Sequence, residues 1–324
     1  MKKGCIVGYG AIGPIHAAAL DKIGAEYAVC DCRPERTERA GAVEKYRDFE
    51  KMLCDKSIDV VHICTPHYLH VPMAEAALAA GKHVILEKPV GISPGEAERL
   101  FNYSGGREIC IMLQNRKNPA VKKMKELTDK REYGELRSMC AFMTWHRDRE
   151  YYAQDEWRGK WSTEGGGLLI NQAIHTLDLL CWLGGGYVNL SGGISTRLLG
   201  DCIEVEDTAD AVIKTACGVD ACFYATNCSA YNNPVRIELE FENGVLRYCD
   251  NMLLYINGGD VRVLARDSAE VPGKAYWGGG HAEVIGEFYS YLDGSSESYM
   301  HLDCAKDVTR AIFDFYKSGT KNKR

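Results

Sequence analysis

The sequence predicts an α/β chain in which a parallel, doubly wound sheet occupies the first third and an α+β part with a large, mostly antiparallel sheet follows. Up to about residue 113, short apolar runs alternate with helical patterns, which is typical of strands covered by helices on both faces. After about residue 120, strand-like runs follow one another and turn signals separate many of them. A chain of 324 residues is long enough for two domains, and we place them at residues 1–118 and 119–324.

The first part has a regular order of elements. We expect strands at residues 3–7, 26–31, 58–64, 83–86 and 108–113, and helices at about 12–23, 72–80 and 94–103. Pro72 and Gly81 support the second of these helices, because proline is favoured in the first turn of a helix and glycine just past its end.

The second part is richer in strands. We expect helices at about 119–129, 167–183, 281–292 and 303–317, and strands at 136–146, 187–198, 208–217, 220–229, 234–242, 244–250 and 252–257. Cys217-Gly218 and Asn243-Gly244 are turn signals between neighbouring strands.

Composition and charge argue against several classes of protein. The net charge is −6 and the isoelectric point is about 5.9, whereas nucleic-acid binding needs a basic surface. The sequence contains no apolar run of about 18 residues, which is the length that would predict a membrane-spanning helix. The 14 cysteines are dispersed and form no Cys-x-x-Cys pair, which is typical of buried thiols in a reducing compartment. We therefore expect a cytoplasmic protein without a bound metal.

A glycine-rich segment, residues 8–13, joins the first predicted strand to the first predicted helix and matches the pattern G-x-G-x-x-G. Gly8 permits a tight turn, Gly10 lets the backbone approach a pyrophosphate, and Gly13 lets the helix pack on the strand. The helix N-terminus offers N–H donors and a partial positive charge. In this strand–turn–helix context the pattern predicts a Rossmann-type dinucleotide-binding domain.

Asp31 ends the second predicted strand. A carboxylate at this place binds the adenosine ribose hydroxyls and repels a 2′-phosphate, which favours NAD over NADP. Arg33 lies two residues further on, and its guanidinium could accept that phosphate. The sequence therefore predicts NAD and leaves NADP as the alternative.

Lys88 directly follows the predicted strand 83–86, within Glu87-Lys88-Pro89. Ligands of open α/β sheets bind outside the carboxyl ends of the strands, so a lysine at this position can reach a bound nicotinamide. The alternative is an ordinary solvated surface lysine. The position of Lys88 in the sequence does not by itself distinguish these two interpretations.

The predicted apolar helix at residues 167–183 carries a polar stripe. Asn171, His175 and Asp178 recur at i, i+4 and i+7 and so share one face. Leaving such groups buried and unpaired costs about 1–3 kcal/mol each. Either His175 and Asp178 form a structural pair in the core, or the stripe lines a substrate cavity in which Asp178 orients the His175 ring.

The segment before this helix favours a substrate-binding lip, because it combines aromatic walls, guanidinium groups and flexible backbone. These residues are Arg147, Arg149, Tyr151, Tyr152, Trp157, Arg158, Trp161 and the three glycines at 165–167. The alternative is a mobile polar loop with ordinary surface arginines.

Together these motifs resemble the Gfo/Idh/MocA oxidoreductases, which include glucose–fructose oxidoreductase and inositol dehydrogenase. The resemblance rests on residues 8–13, Thr65-Pro66 with His70, residues 79–84 running into Glu87-Lys88-Pro89, Tyr151-Tyr152, Trp157-Arg158-Gly159, residues 165–167, and His175 with Asp178. The order and spacing extend to about residue 185, and the sheet-rich remainder is compatible with the family.

The resemblance implies hydride transfer between NAD(P) and a carbon of a sugar, sugar derivative or cyclitol. It implies that Lys88 and His175 contact the reacting hydroxyl, and the Lys88–Pro89 bond is often cis in this family, which would aim the lysine into the site. The family's usual stripe is Asp-x-x-x-His, whereas Asn171 stands first here; it cannot take a proton but can hold a substrate hydroxyl. This variant resembles a branch that includes sugar-nucleotide dehydrogenases. His67 also stands where many relatives have Asn.

The expected site residues fall into three groups. The catalytic pair is Lys88 and His175. The expected cofactor-binding residues are Gly8, Gly10, Ala11, Ile12, Gly13, Asp31, Arg33, Thr65, Pro66, His67, His70, Glu87, Lys88 and Gln114. The expected substrate-binding residues are Lys88, Arg116, Tyr152, Trp157, Arg158, Asn171 and His175.

Alcohol oxidation needs a base, and we expect His175 to be that base while Lys88 polarises the oxygen. Lysine, with a reference pKa near 10.4, would need a lowered pKa to act as a base. Histidine, near 6.5, needs less adjustment.

Two other functions are compatible with the sequence: an NAD-dependent glycoside hydrolase that oxidises its substrate transiently, and a non-catalytic dinucleotide-binding regulator. The presence of both Lys88 and His175 argues against the regulator. A large sheet covered on one face usually needs a further cover, so we expect a homodimer or homotetramer.

Overall fold

The computed structural model describes residues 1–42, 44–267 and 279–321. These residues form two compact units. The first comprises residues 1–114 and 279–305, and the second comprises residues 115–267 and 306–321. The division differs from the expected boundary between residues 118 and 119, because a C-terminal segment belongs to the first unit.

The first unit contains a six-stranded sheet with helices between its strands. The elements are β1 (Gly4–Val7), α1 (Gly13–Ile23), β2 (Tyr27–Cys30), α2 (Pro34–Glu38), β3 (Lys45–Tyr46), α3 (Phe49–Leu53), β4 (Val60–Ile63), α4 (His70–Ala79), β5 (His83–Leu86), α5 (Pro94–Phe101) and β6 (Ile109–Ile111). The strand order is β3-β2-β1-β4-β5-β6 and every pair is parallel. This confirms the doubly wound parallel sheet.

Local sequence explains these elements. Every residue of β1 and β4 is buried, as expected for strands with helices on both faces, and this is why both are mostly apolar, with His62 as the polar exception. Gly24, with φ of 71°, ends α1 in the left-handed conformation that glycine adopts without strain.

The second unit contains an eight-stranded sheet and several helices. They are α6 (Pro119–Asp129), β7 (Leu136–Thr144), α7 (Arg149–Ala153), α8 (Leu168–Asn171), α9 (Ile174–Leu183), β8 (Tyr187–Ser195), β9 (Thr208–Thr215), β10 (Asp220–Thr226), β11 (Arg236–Phe241), β12 (Gly244–Cys249), β13 (Met252–Asn257) and β14 (Asp260–Arg266). The strand order is β14-β13-β12-β11-β7-β10-β9-β8. All neighbouring strands are antiparallel except β7 and β10, so the mostly antiparallel sheet is confirmed.

Two helices complete the chain, α10 (His281–Leu292) and α11 (Lys306–Lys321). α10 packs against α1 in the first unit, whereas α11 packs against α9 and β8 in the second. The ring of Phe315 on α11 lies 5.8 Å from that of Phe223 on β10, which places the core of the second unit on this face of its sheet. Among the described residues, no helix combines the length and hydropathy needed to span a bilayer.

The expected helix at residues 167–183 is wrong as a single helix. The chain forms α8 and α9, with Gln172 and Ala173 between them. The i, i+4, i+7 spacing of Asn171, His175 and Asp178 therefore does not make one continuous stripe, because Asn171 ends a different helix.

Candidate active site

The expected cofactor-binding segments of the first unit follow neighbouring strands. Residues 8–13 follow β1, Thr65 and Pro66 follow β4, and Glu87 and Lys88 follow β5. Since these strands are adjacent and parallel, their carboxyl ends share one edge of the sheet. The strand order changes direction at β1, which is where open α/β sheets bind ligands.

The glycine-rich segment leaves no room for side chains at two positions. Gly8 has φ of 90°, and a Cβ atom there would lie 2.6 Å from the carbonyl oxygen of Cys64. A Cβ atom at Gly13 would lie 2.6 Å from the carbonyl oxygen of Gly8. Ile12 precedes α1 and forms no side-chain cap, so the first amides of the helix keep their capacity to bind an anion. The segment fits a pyrophosphate; Ala11 lies in it and is exposed.

Asp31 is held by the backbone around it. Its Oδ2 atom accepts a hydrogen bond from the Tyr9 amide at 2.7 Å, and its Oδ1 atom accepts one from the Arg33 amide at 2.9 Å. The guanidinium of Arg36 lies 3.5 Å from Asp31 Oδ2 and 3.4 Å from the position of a Cβ at Gly10. Arg36, which was not among the expected residues, is thus a second candidate to face the adenosine end of a dinucleotide.

His70 joins the loops that follow β4 and β5. Its Nε2 atom lies 2.9 Å from the carbonyl oxygen of Thr65, and its Nδ1 atom lies 2.8 Å from that of Pro89. Burial lowers the pKa of His70, while the two carbonyl oxygens oppose that effect. Because the ring bonds to both loops, we expect its effect on a cofactor to be indirect. The Lys88–Pro89 bond is cis, as the resemblance implies.

The loop after β4 contains further expected cofactor residues. The Thr65 hydroxyl is buried and has no hydrogen-bond partner among the described residues, which is expected where a ligand completes a site. His67 is buried with its ring 5.6 Å from that of His70. Gln114, beyond β6, is also buried.

Glu87 is buried, and its Oε1 atom lies 3.0 Å from His16 Nε2. Burial alone would raise the pKa of Glu87. The hydrogen bond with His16 and the charges of His16, His281 and Lys88 outweigh burial and lower that pKa to about 2. The carboxylate is therefore ionised and faces protein groups, and Lys88, which is half-buried, is the member of this motif placed to meet a ligand.

In the second unit, Asp178 does not pair with His175. Its two oxygens accept hydrogen bonds from Nε and Nη2 of Arg116 at 2.8 and 2.6 Å. The Arg116 guanidinium also lies over the Trp182 ring at 5.1 Å. This corrects one expectation, because Asp178 is engaged by an arginine and not by His175. Arg116, an expected substrate contact, is buried and forms this ion pair.

Asn171 and the glycine-containing loop before it are held by a buried carboxylate. Glu164 is completely buried. Its Oε1 atom accepts a hydrogen bond from Asn171 Nδ2, and its Oε2 atom accepts one from the Gly159 amide, both at 2.5 Å. The contact fixes the orientation of the Asn171 amide group. His175, on the first turn of α9, is half-buried.

A second buried carboxylate holds the start of α8. Glu206 accepts hydrogen bonds from the amides of Gly167 and Leu169, each at 2.9 Å, and from the Tyr316 hydroxyl at 3.2 Å. Burial raises the pKa of Glu206 to about 7, against the effect of these donors. Neither Glu164 nor Glu206 was expected from the sequence.

The expected substrate lip is an ordered aromatic and guanidinium cluster. The Arg158 guanidinium lies 4.6 Å from the Tyr151 ring centre and 4.9 Å from that of Trp157, and it also bonds to Asp155. Such stacking on aromatic faces is favourable for arginine. Arg147 lies 4.9 Å from the Tyr151 ring, whereas Arg149 forms a surface ion pair with Asp201. Arg147 and Arg158 therefore pack on aromatic rings, whereas Arg149 is an exposed surface arginine.

Tyr152 belongs to a buried polar network that the sequence did not indicate. Its hydroxyl accepts a hydrogen bond from Asn227 Nδ2 at 3.3 Å. Asn227 Nδ2 also donates to Gln172 Oε1 at 3.1 Å, and Gln172 Nε2 donates to the Tyr151 hydroxyl at 2.9 Å. Gln172 and Asn227 thus fix both tyrosines.

No group of three or more His, Cys, Asp or Glu side chains that could hold a metal ion occurs within the part of the chain that the structure describes.

Comparison with protein families identifies the two parts of the chain. The family model described as "Oxidoreductase family, NAD-binding Rossmann fold" matches residues 2–113. The model described as "GFO/IDH/MocA C-terminal domain" matches residues 121–247. The chain belongs to the Gfo/Idh/MocA oxidoreductase family. The expected family and its NAD-binding domain are confirmed.

Two individual relatives show low sequence identity to this chain. Levoglucosan dehydrogenase of Pseudarthrobacter phenanthrenivorans is 27% identical over 257 residues, which are 71% of this chain and 65% of the relative. Myo-inositol 2-dehydrogenase of Thermotoga maritima is 25% identical over 259 residues, 76% of this chain and 75% of the relative. The chain thus spans less than two thirds of the length of the levoglucosan dehydrogenase. It matches only 42% of the length of another relative, an uncharacterised oxidoreductase of Synechocystis.

A solved structure matches over nearly the whole length. The WlbA dehydrogenase from Bordetella pertussis, solved in complex with NADH and UDP-GlcNAcA, is 25% identical with a TM-score of 0.84. The match covers 99% of this chain and 97% of that one.

Proposed function

We propose that the chain is an NAD-dependent dehydrogenase that oxidises a secondary alcohol of a sugar, sugar derivative or cyclitol. The observation that carries this proposal is the position of Lys88 directly after β5, at the same sheet edge as residues 8–13, in a chain of this family. Relatives named levoglucosan dehydrogenase and myo-inositol 2-dehydrogenase support the class of substrate.

Lys88 and His175 are assigned different roles. The ionised Glu87 next to Lys88 favours the charged form of the lysine, and an ammonium group can polarise an oxygen but cannot accept a proton. His175 is therefore assigned to remove the hydroxyl proton, since imidazole is the side chain that most often serves as a base at neutral pH. Bound NAD⁺ supplies the acceptor of the hydride.

We assign substrate contacts to Asn171, Tyr152, Trp157 and Arg158. The Glu164 carboxylate accepts from Asn171 Nδ2 and so fixes the orientation of the Asn171 amide group, whose oxygen we assign to accept a hydrogen bond from a substrate hydroxyl. Arg116 stays a predicted substrate contact, and two of its guanidinium nitrogens bond to Asp178.

We also propose a homodimer or homotetramer. The outer face of the second sheet presents apolar side chains on adjacent strands, since Val212, Tyr224 and Phe142 alternate with buried neighbours on β9, β10 and β7. Val212 is 50% exposed in the single chain. Light scattering after size exclusion tests this, and a monomer at micromolar concentration would contradict it.

The function is tested by offering the purified chain inositols, aldoses, an anhydrosugar and sugar nucleotides, each with NAD or NADP, and following the absorbance of the reduced nicotinamide. We expect reduction of NAD with at least one polyol and none with the Lys88→Ala variant prepared in the same way. Lys56→Ala, which removes an exposed lysine of the same unit, is the matched control.

Two results would contradict the proposal. Cleavage of a glycoside without net formation of reduced cofactor would indicate the transient-oxidation hydrolase. Binding of NAD without turnover of any substrate in the panel would indicate the regulator.

A further inference from the structure

The first amides of α8 bond to groups from two remote parts of the second unit. The Gly167 amide donates to Glu206 Oε2 and the Leu169 amide donates to Glu206 Oε1, each at 2.9 Å. The Leu168 amide donates to the main-chain carbonyl oxygen of Glu206 at 3.0 Å. The Tyr316 hydroxyl, from α11, donates to Glu206 Oε1 at 3.2 Å. We call Glu206 and Tyr316 the α8 cap.

The chemistry of these groups sets the direction of the hydrogen bonds. An amide N–H only donates, so the Glu206 oxygens are acceptors toward α8. Burial, together with the Glu206 and Glu164 carboxylates, raises the pKa of Tyr316, and a hydrogen bond from the Ile170 amide opposes this effect. The phenol therefore keeps its proton and donates it to Glu206, while its oxygen accepts from Ile170. Four consecutive amides at the start of α8 thus have acceptors in the cap.

The cap replaces a local N-cap residue. The first four N–H groups of a helix have no partner within the helix, and the side chain of the residue before the helix usually supplies one. Here that residue is Gly167, which has no side chain. Glu206 lies 39 residues further along the chain than Gly167, so the start of α8 depends on a tertiary contact.

The three glycines before α8 are packed against the cap. A Cβ atom on Gly166 would collide with the Tyr316 hydroxyl, and a Cβ atom on Gly167 would collide with the carbonyl oxygen of Glu206. Gly166 also has φ of 156°. The role of these glycines therefore differs from the flexibility expected from the sequence, because the missing side chains let the cap approach α8.

The cap lies one helical turn from Asn171. The Asn171 amide donates to the Gly167 carbonyl oxygen at 3.1 Å, and the Gly167 amide is itself bonded to Glu206. The side chain of Asn171 donates to Glu164, which directly precedes the three glycines. Asn171 is therefore held through both its backbone and its side chain, and a displacement of Gly167 would move it.

Tyr316 also supports the substrate lip. Its ring lies 5.1 Å from the Trp161 ring with an interplanar angle of 90°, which is a favourable edge-to-face arrangement. Trp161 Nε1 donates to the carbonyl oxygen of Glu204 at 2.8 Å, two residues before Glu206. One side chain of α11 thereby contacts both the lip and the start of α8.

We propose that Glu206 and Tyr316 are positioning residues that fix α8, and with it Asn171, so that α11 takes part in substrate binding. The substrate-binding part of this statement rests on the proposed function, in which Asn171 receives a substrate hydroxyl. The hold of the cap on α8 does not depend on it.

The test measures hydrogen exchange in the full chain, residue by residue and at one fixed pH, at the four amides bonded to the cap. We expect Tyr316→Phe to accelerate exchange at Leu169 and Ile170 about 3- to 10-fold, the effect of losing one hydrogen bond. Glu206→Leu should accelerate exchange at Gly167 and Leu169 at least as much. Glu206→Gln keeps one acceptor oxygen, and its exchange rates should lie between those of the wild type and of Glu206→Leu.

A matched control separates this effect from a general loss of structure. The Tyr187 hydroxyl also bonds to a carboxylate on α11, since it donates to Asp314 Oδ2 at 2.9 Å, but it lies outside the cap. We expect Tyr187→Phe to leave exchange at the four amides unchanged. Exchange in β9 and β10 is the internal reference in every variant. If Glu206→Leu does not fold, Tyr316→Phe and Glu206→Gln decide the outcome.

A second readout separates positioning from a merely structural role. With the polyol that gives the fastest reduction of NAD in the panel, Tyr316→Phe should raise KM about 3- to 10-fold and lower kcat by less than about twofold, because Asn171 binds the substrate but is not the base. Tyr187→Phe should leave both constants unchanged.

Three outcomes are decisive. Unchanged exchange at the four amides in Tyr316→Phe and Glu206→Gln would overturn the cap. Faster exchange with an unchanged KM would overturn the positioning role. Exchange needs neither substrate nor NAD, so faster exchange in a chain that reduces no NAD with any polyol would support the cap and contradict the proposed function alone.

Discussion

The first unit builds its candidate site mainly from backbone at the ends of parallel strands, whereas the candidate residues of the second unit are held by buried carboxylates. In the first, Gly8 and Gly13 are tightly packed against backbone atoms. In the second, Glu164, Glu206 and Asp178 each accept two or more hydrogen bonds that hold candidate side chains or the segments leading to them. A site of the first kind depends on glycine and strand geometry. A site of the second kind depends on individual carboxylates. It is therefore sensitive to pH and to the loss of a single hydrogen-bond partner.

The largest effect is expected from the one proposed catalytic residue in each unit. Replacing Lys88 or His175 by alanine should lower kcat by about 10²- to 10⁴-fold, the usual worth of acid–base assistance. Since His175 is assigned as the base, His175→Ala should also lose the acidic limb of the pH dependence of kcat/KM, whereas Lys88→Ala should keep it. Steady-state kinetics across the pH range measure both. Near-normal turnover by His175→Ala, with none by Lys88→Ala, would show that the base is misassigned.

The next effect concerns the buried ion pair of the second unit. Arg116→Met leaves the Asp178 carboxylate buried and unpaired, and we expect it to lower the free energy of unfolding by about 3–5 kcal/mol. The double variant Arg116→Met with Asp178→Leu should recover most of this loss, because it removes both charges. Urea unfolding measures these values.

Arg131→Met is the matched control for that pair, since it removes a surface ion pair with Glu135 and should change stability by no more than about 0.5 kcal/mol. If the double variant were as unstable as Arg116→Met, lost packing and not an unpaired charge would explain the effect.

A smaller effect concerns pH. Burial raises the pKa of Glu206 to about 7 in the folded chain, and in the unfolded chain it returns to about 4.3. Between these values only the folded state holds the proton, so stability from this group is greatest at low pH and falls as pH rises, by on the order of 3 kcal/mol. Glu206→Gln should flatten the pH dependence of the unfolding free energy in this window. Glu204→Gln, an exposed neighbour, should leave it unchanged, and an equal slope in both variants would refute the assignment.

The smallest effect tests cofactor choice in the first unit. Arg36 lies within 3.5 Å of Asp31, and a guanidinium can bind a 2′-phosphate by a charge-assisted hydrogen bond. We expect Arg36→Ala to lower kcat/KM with NADP up to about tenfold and to change the value with NAD less. Arg39→Ala, an exposed arginine just past the same helix, is the control. A larger loss with NAD than with NADP would assign Arg36 to another part of the dinucleotide.

Particular elements show which structural features the sequence predicted and which it did not. The expected strand ending at residue 257 was correct, but β14 was missed although Gly258-Gly259 and the alternating Val261 and Val263 indicate a hairpin. No proline or glycine lies at the break between α8 and α9, so the local sequence does not predict that break. Glu206 also gave no signal, because its donors, the amides of Gly167 and Leu169, lie 39 and 37 residues away.

The sequence by itself determined the parallel sheet, the glycine-rich segment and the position of Lys88 at a strand end. These follow from local chain geometry, since a strand, a tight turn and a helix start are each encoded within a few neighbouring residues. Only the tertiary structure decided which buried groups meet. His16 and His62 are 46 residues apart, Arg116 and Asp178 are 62 apart, and His62 and Tyr289 are 227 apart. A buried polar group must find a partner wherever the fold places one, and sequence spacing does not report that distance.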